Sequence, residues 1–473
     1  MVNWQIPPAT INKHPAETTT LNNITLNITL NQPSPTDGLI KITVSESDYQ
    51  PKVEEKVKEY SRKMNIKGFR QGKVPAGVVR KMYGRSILVE EVNHLLSHAV
   101  SDYIKEKKLN ILGDPLPNQE KARLIDWETQ KDFEFEFQVG LVEEFTVDIS
   151  AKVKLKTYAI EVEQKVMDET LEDIRRRFGN ITYPEVSGAQ DNLFGDVTDA
   201  AGNKKSSYLT IAKITKDEQK NFIGLKKEDE VSFDIGKLSP DPLTISQAIN
   251  VPEEEAKNSK GNYTVKITNI SHVEPAEVNQ ELFDKTFGKD AVKTEEEFLA
   301  KIRETIAGNY KRESDHLLEH EIQHQLVDHT NVNMPDSFLK TWLKSSGDGK
   351  ITDEVLGKEF DEYKKGLKWD LIKNKISDAH KVNVESGEVK ERAKQLIAQQ
   401  FGGPAIAEQL GDKFDSIADN YLSGQDGKGE NFMRLYNQIR HEKIMKVIRE
   451  NITVSEKKVT LEEFKNLVAG HNH

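Results

Sequence analysis

The chain has no cysteine, and this absence limits its chemistry. Without thiols it can form no disulfide bond, no thiolate metal site and no cysteine nucleophile. No apolar run approaches the ~20 residues that a membrane-spanning helix needs, so we expect no membrane partner. The first residues carry neither the charged nor the apolar segment of a secretion signal, and we therefore expect a cytoplasmic protein.

Aromatic residues are also sparse, at 7% of the chain, and hydrophobic residues reach only 36% against 31% charged. This composition is low in apolar residues for a compact enzyme of 473 residues. It indicates an extended molecule with thin, well-solvated helical elements. The length predicts about three domains, each large enough to have its own core.

Acidic residues are missing from the segment 61–85, although the whole chain has a net charge of −11. The segment instead contains eight cations, namely Arg62, Lys63, Lys67, Arg70, Lys73, Arg80, Lys81 and Arg85. A concentration of positive charge against the sign of the whole protein indicates a surface that meets an anionic partner. A nucleic-acid-binding protein is one interpretation, and it predicts salt-sensitive binding to free RNA that survives loss of Phe69.

A glycine-bracketed loop, 68–75, lies in the middle of this basic segment. Gly68 and Gly72 permit backbone angles that other residues avoid, and Pro75 fixes φ at the start of a helix. Phe69 is not easily buried in such a loop and is accompanied by Arg70 and Lys73. An exposed aromatic ring beside two cations is typical of a docking surface.

Hydrophobic periodicity predicts an α+β region around this loop. Alternating apolar residues predict strands near 24–30, 39–44 and 133–139, and helical spacing predicts two helices that flank the loop. The order of strands, two helices and strands predicts a sheet with helices on one face and the loop at the tip.

The rest of the chain changes character twice. Short strands with turn signals predict a small β-rich domain over about 190–272, and helical periodicity dominates afterwards. Thr294 and Glu297 form a capping box in front of a long helix. Gly366 and Gly424 predict breaks between later helices.

The loop 68–75 resembles the ribosome-docking signature of trigger factors, which are bacterial chaperones of the ribosomal tunnel exit. Segments 282–288 and 452–458 are similar to the start and the end of the C-terminal domain of that family. The resemblance implies a multidomain α+β protein with an N-terminal extension, 1–22, and a sheet-plus-helices ribosome-binding domain, 23–150. A linker helix and an FK506-binding-protein-like domain would occupy 151–273, and an all-helical C-terminal chaperone domain 274–473.

The resemblance also implies partners and contact residues. The partners would be the ribosome, through protein and RNA at the tunnel exit, and nascent or unfolded polypeptides. The family resemblance allows a homodimer off the ribosome. The ribosome-binding residues would be Gly68, Phe69, Arg70, Gly72, Lys73 and Pro75. No phosphate-binding loop is present in the sequence, so we expect an ATP-independent chaperone without a cofactor.

An active peptidyl-prolyl isomerase is the alternative, because the middle domain of the family is one. An apolar, aromatic-lined pocket lowers the isomerisation barrier of ~18–20 kcal/mol by desolvating the X-Pro amide. The family's Ile-Pro-Gly-Phe turn is absent. The segment 221–225, close to where that turn is expected, lacks the proline and the second aromatic residue. The remaining pocket candidates are Phe194, Tyr208, Phe222, Phe233 and Tyr263. We favour core packing for these rings, and a short-peptide isomerisation assay distinguishes the two interpretations.

A zinc peptidase is a further alternative, since His320, Glu321 and His324 match the pattern His-Glu-x-x-His. His316 and His329 lie close in sequence, but no separate motif supplies the third ligand that catalytic zinc requires. The stripe Leu317, Ile322 and Leu326 predicts a packed face that leaves the histidines in solvent. We therefore expect a polar helix face and no metal.

Client binding by the helical region would need exposed apolar side chains among polar ones. The candidates are Phe338, Trp342, Leu343, Leu367, Trp369, Phe401, Phe432, Met433 and Tyr436. Helical stripes normally pack into a core, so we expect most of these residues to be buried.

Overall fold

The computed structural model describes residues 26–65, 69–70, 72–347, 349–400, 411–424, 427 and 429–471. They form two compact units, of which the first contains 26–155 and 319–454 and the second 156–318 and 455–471, less those gaps. None of the helices described is both long and apolar enough to span a membrane. The N-terminal extension 1–22, Gly68 and Phe401 lie outside the described residues.

The strands, in chain order, are β1 Asn27–Asn31, β2 Asp37–Val44, β3 Ile111–Pro117, β4 Phe133–Leu141, β5 Lys154–Ile160, β6 Asn180–Thr182, β7 Asn192–Thr198, β8 Lys204–Thr210, β9 Glu230–Asp234, β10 Asn262–Glu274 and β11 Thr453–Val459. The helices are α1 Glu46–Lys63, α2 Ala76–Glu106, α3 Gln119–Arg123, α4 Gln164–Arg177, α5 Lys216–Phe222, α6 Ile235–Leu238, α7 Pro242–Ile249, α8 Glu253–Ala256, α9 Gln280–Phe287, α10 Glu295–His329, α11 Asp336–Ser346, α12 Asp353–Ala379, α13 Ser386–Gln400, α14 Asp412–Ser423, α15 Glu430–Asn451 and α16 Leu461–His471. Together they confirm the predicted fold class.

The N-terminal part of the first unit is a four-stranded antiparallel sheet in the order β1-β2-β4-β3. Ile40, Ile42 and Val44 of β2 are fully buried, as the alternation of apolar and polar residues predicted. Helices α1 and α2 contribute Val57 and Val92 to the same core. The sheet and the helix pair therefore share one hydrophobic core.

Glu136 on β4 is a charged residue inside this domain and is only 9% exposed. Lys121 forms an ion pair with its carboxylate, and Asn118 donates a hydrogen bond to it. The bond from Lys121 lowers the pKa of Glu136 although burial opposes the change. Because the folded-state pKa lies below the ordinary 4.5, this contribution to stability is present above pH 4.5 and is lost as the pH falls through the lowered value.

We expect Glu136→Gln to lower the free energy of unfolding at neutral pH, because the amide cannot replace the paired carboxylate. The difference from wild type should shrink well below pH 4.5, where the wild-type carboxylate is protonated too. Urea unfolding at both pH values measures it. Glu134→Gln on the same strand is the control, since the Glu134 side chain is 48% exposed in its pair with Lys41. A difference that persisted unchanged in acid would contradict this electrostatic account.

The C-terminal part of the first unit is helical and packs on an edge of the sheet through α11. Phe338 of α11 is fully buried with Leu112 and Val142. A Cβ atom at Gly140 would lie only 2.4 Å from Cδ1 of Phe338, and one at Gly113 would lie 2.9 Å from the Trp342 ring. Two glycines of the sheet thus permit the close approach of two aromatic rings from the helix.

The two glycines predicted to break helices, Gly366 and Gly424, have different outcomes. Helix α12 runs without interruption through Gly366, so the predicted break there is wrong. Gly424 has a φ of +73° and ends α14, as predicted. A glycine costs a helix interior only about 0.5–1 kcal/mol relative to alanine, which the buried residues Leu367 and Trp369 beside Gly366 outweigh.

The second unit is built on a five-stranded sheet. Its strands follow the order β6-β10-β7-β8, and β9 also pairs with β10. Leu193, Leu209 and Ile267 are buried in its core. Strand β11 pairs with β5, which adds a strand to a region for which the sequence predicted only helices.

Candidate functional site

The segment between α1 and α2 forms a tip that is anchored at its base. Val74 is 2% exposed and belongs to the core of the N-terminal domain. Ser61 Oγ donates a hydrogen bond to the carbonyl oxygen of Val74 and so ties the end of the loop to α1. Pro75 caps α2, and its carbonyl oxygen accepts from the N–H of Val78 at 2.9 Å. Periodicity did not single out Val74, although it is the one apolar residue between Gly72 and Pro75 that could anchor the loop.

The backbone at the tip folds into a tight turn. The N–H of Lys73 donates to the carbonyl oxygen of Arg70 at 2.9 Å. Gly72 has a φ of +77°, and a side chain there would come within 3.4 Å of the Arg62 carbonyl oxygen. The turn therefore requires glycine at position 72, as the sequence predicted from conformational freedom.

This turn leaves the predicted contact side chains in solvent. Phe69 is 39% exposed, and Arg70 and Lys73 are exposed as well. The structure thus brings an aromatic ring and two cations together on the tip, with Pro75 at its base. Gly68 lies outside the described residues.

The cations of the basic segment fall into two groups. Arg80 pairs with Glu54, Lys63 pairs with Glu59 at 2.7 Å, and the hydrogen bond from Lys63 lowers the pKa of Glu59. Arg85 approaches Glu128 at 3.8 Å. Among the described residues, no ion pair forms at Arg62, Arg70, Lys73 or Lys81. Within this described part of the chain, the tip cations Arg70 and Lys73 are therefore available to an anionic partner.

The five aromatic pocket candidates separate into two groups. Phe222 and Phe233 are core residues at 0% and 4% exposure, with ring centroids 5.6 Å apart. Tyr263 packs against that core. Phe194 and Tyr208 instead form a cross-strand pair with centroids 5.1 Å apart, and Phe194 is 38% exposed. The structure does not bring all five rings to one cavity.

The His-Glu-x-x-His segment lies on α10. Ile322 and Leu326 are buried, and His320 and His324 are exposed, so the stripe packs as predicted. The two imidazole centroids are 6.4 Å apart, and His324 Nδ1 lies 3.2 Å from Asp328 Oδ2. Within the described part of the chain, no group of three His, Asp or Glu side chains is placed to hold a metal ion.

Burial in the first unit separates the candidate client-binding residues into core and surface residues. Five of them are at most 6% exposed, namely Phe338, Trp342, Leu343, Leu367 and Trp369. Phe432 and Tyr436 are half-buried, and Met433 is 52% exposed. Packing thus removes most of the sequence candidates from the surface, as expected.

A cavity of about 330 Å³ lies between α11 and α12. Its wall is almost wholly apolar and comprises Leu343, Ile351, Val355, Leu356, Phe360 and Tyr363, together with Glu359 and Glu362. Burial raises the pKa of Tyr363 to about 12, and Asp370 adds to the rise. The cavity was not evident from the sequence because its wall combines residues from two helices and the segment between them.

Family comparisons cover all three regions of the chain. Residues 26–174 match the family model described as bacterial trigger factor protein. Residues 181–275 match the model described as a probable trigger factor FKBP-like domain, and residues 314–468 the one described as a probable trigger factor C-terminal domain.

Curated relatives extend the similarity along the chain. A trigger factor of Pelagibacter ubique is 23% identical over 448 residues, which cover 91% of this chain and 87% of the relative. One of Rickettsia massiliae is 25% identical over 335 residues, which cover 67% and 71%. A solved structure from a study of substrate recognition by the trigger factor chaperone covers 89% of this chain at 16% identity, with a TM-score of 0.41. On the three family models and these relatives, the chain belongs to the trigger factor family.

Proposed function

We propose that this protein is an ATP-independent chaperone that docks at the ribosomal tunnel exit and shields nascent polypeptides. The observation that carries the proposal is the tip between α1 and α2, where Phe69, Arg70 and Lys73 are exposed together on an anchored turn. Membership of the trigger factor family supplies the partner.

Docking follows from the chemistry of the tip. Arg70 and Lys73 form no ion pair within the described residues, so they keep their charge for ribosomal RNA phosphates or acidic protein groups. Phe69 supplies the apolar anchor, which is the usual energetic centre of a small interface. The buried Val74 anchors the end of the tip in the core, and an anchored segment loses less entropy on binding.

Client binding is assigned to the C-terminal helices. The cavity between α11 and α12 is large enough for an apolar side chain of an unfolded segment, and Met433 adds exposed apolar surface elsewhere on the helical part. Each such contact is weak, so many must act together to retain a client. Release then needs no nucleotide energy.

The domain organisation follows the same assignment. The ribosome-binding domain comprises 23–150, the linker helix and isomerase-like domain 151–273, and the chaperone domain 274–473, after an extension at 1–22. The protein acts in the cytoplasm, and the family relationship allows a homodimer off the ribosome. These assignments rest on the family relationship and on the signature 68–75.

The proposal predicts chaperone activity without ATP. We expect the full chain to suppress aggregation of a chemically denatured protein at near-stoichiometric ratios, equally with and without ATP, because no phosphate loop is present in the sequence. Light scattering on dilution from denaturant measures this. Bovine serum albumin at the same concentration controls for crowding. A requirement for ATP, or no suppression, would contradict the proposal.

An active prolyl isomerase remains the alternative function, and the match of residues 181–275 to the FKBP-like model supports an isomerase-like domain. Phe222 and Phe233 are occupied in core packing, and Phe194, which pairs with Tyr208, is the one exposed ring of the five candidates. The geometry favours the chaperone over the enzyme as the main function.

A further inference from the structure

The exposed face of α2 carries two histidines one helical turn apart. His94 and His98 are both exposed, because Val92, Leu96 and Val100 form the face that packs into the core. The two Nε2 atoms are 3.3 Å apart, and the ring centroids are separated by 4.5 Å. The two imidazoles therefore present neighbouring nitrogens to solvent from a rigid, 31-residue helix.

This separation matches the requirement of a chelated metal ion. Zinc binds imidazole nitrogen at about 2.0–2.1 Å in tetrahedral geometry, so two nitrogens on one ion lie about 3.3–3.4 Å apart. A neutral imidazole can offer Nε2 when the proton resides on Nδ1. The helix thus holds both nitrogens at the separation that a single ion would impose.

We propose that His94 and His98 form a surface binding site for Zn²⁺, with two imidazole ligands from the protein and the remaining positions filled by water. No group of three His, Asp or Glu ligands occurs in the part of the chain that the structure describes, so the site is open and exchangeable. Glu90 and Asp102 stand four residues before His94 and four after His98 on the same helical row, and their charges favour a cation there. From the sequence we expected no metal, and the pair on α2 departs from that expectation.

The chain provides its own comparison in His320 and His324, which have the same spacing on α10. Their rings are 6.4 Å apart, and His324 is engaged with Asp328. Both pairs are exposed and separated by one turn, but the rings of the α2 pair are closer, at 4.5 Å between centroids, and their Nε2 atoms are at chelating distance. Sequence spacing alone marks three pairs, because His316 is also four residues from His320, and the approach of the two Nε2 atoms singles out the pair on α2.

The zinc site is separate from the docking tip. His94 lies 18 residues after the first residue of α2, or about 27 Å along the helix axis at 1.5 Å per residue. A bound ion would bridge one turn of α2 and stabilise the folded state by binding it preferentially. Loss of the site should leave ribosome docking unchanged, so this inference and the proposed function can fail independently.

Calorimetric titration of Zn²⁺ into the untagged full-length chain tests the proposal. The parent carries His471→Ala and His473→Ala, which remove the terminal histidines as competing ligands. We expect one dominant site, a higher melting temperature with Zn²⁺, and an affinity at least about tenfold weaker in His98→Ala. His94→Ala/His98→Ala should abolish both effects, and the matched pair His320→Ala/His324→Ala should retain them.

Each result of the titration either supports the zinc site or overturns it. Loss of binding and of the thermal shift only in the α2 variants supports the site. No zinc binding by the parent would show that the two imidazoles merely share a hydrogen bond, and the proposal would be overturned. Unchanged binding in His94→Ala/His98→Ala, or equal loss in the α10 variant, would overturn it as well. Circular dichroism of each variant without metal confirms that the helices are intact.

Discussion

Phe69→Ala combined with Arg70→Ala is expected to abolish co-sedimentation with ribosomes at moderate salt. Phe69 is the exposed aromatic side chain of the described tip, and Arg70 is one of two tip cations that form no ion pair within the described residues. Loss of a buried anchor costs about 2 kcal/mol or more, which is about thirtyfold in the dissociation constant. Neither side chain contributes to the core, so the melting temperature should stay within about 1 °C of wild type.

A matched control exists on the same domain. Arg123 and Leu124, at the end of α3, also place a cation beside an exposed apolar residue, with Leu124 81% exposed. Arg123→Ala/Leu124→Ala removes the same kinds of group without touching the tip, and ribosome binding should persist. Equal losses in both variants would indicate general electrostatic attraction. Unchanged binding by the Phe69/Arg70 variant would refute the assignment of the tip.

Salt and free RNA separate docking from general nucleic-acid binding. A nucleic-acid-binding protein would bind free RNA with steep salt dependence, and the phosphate contacts would survive loss of Phe69. Ribosome docking through an aromatic anchor should instead be weakened by the single substitution Phe69→Ala. Co-sedimentation of that single variant over a range of salt concentrations distinguishes the two.

Phe338→Ala is expected to destabilise the first unit by about 3–5 kcal/mol, because its ring is fully buried between α11 and the sheet. This is the largest effect we expect from any single substitution considered for stability. Urea unfolding followed by tryptophan fluorescence measures it, since Trp342 lies in the same cluster. Met433→Ala is the control and should change stability by less than about 0.5 kcal/mol, because Met433 is 52% exposed.

A second substitution tests whether the ring and the glycine are complementary. Gly140→Ala alone should cost about 1–3 kcal/mol, since its Cβ would lie 2.4 Å from the Phe338 ring. In Gly140→Ala/Phe338→Ala the added methyl group enters the space left by the ring, so the double variant should lose less than the sum. The compensation between the two substitutions is only partial, because the Cβ of residue 140 would still lie 2.7 Å from Pro335. Strict additivity would show that α11 does not approach the sheet as closely as described.

Much of the fold was predictable because its signals are local. The alternation on β2, the helical spacing of α1 and α2 and the cap at Thr294, where Oγ1 accepts from the Glu297 N–H at 3.2 Å, all depend on neighbouring residues. The docking turn was predictable for the same reason, since Gly72 and Pro75 restrict the backbone by themselves. The break predicted at Gly366 was wrong because the continuity of α12 there depends on buried neighbours.

The sequence by itself determined the family, the α+β class, and a basic, aromatic-tipped loop as the candidate docking site. Only the tertiary structure decided which apolar residues remain exposed. It buried Phe222 and Phe338, left Met433 in solvent and opened a cavity beside α12. It also distinguished two histidine pairs of identical spacing, on α2 and α10. The physical reason is that periodicity identifies an apolar or polar face of an element, whereas the packing partner and the rotamers follow from contacts between residues distant in sequence.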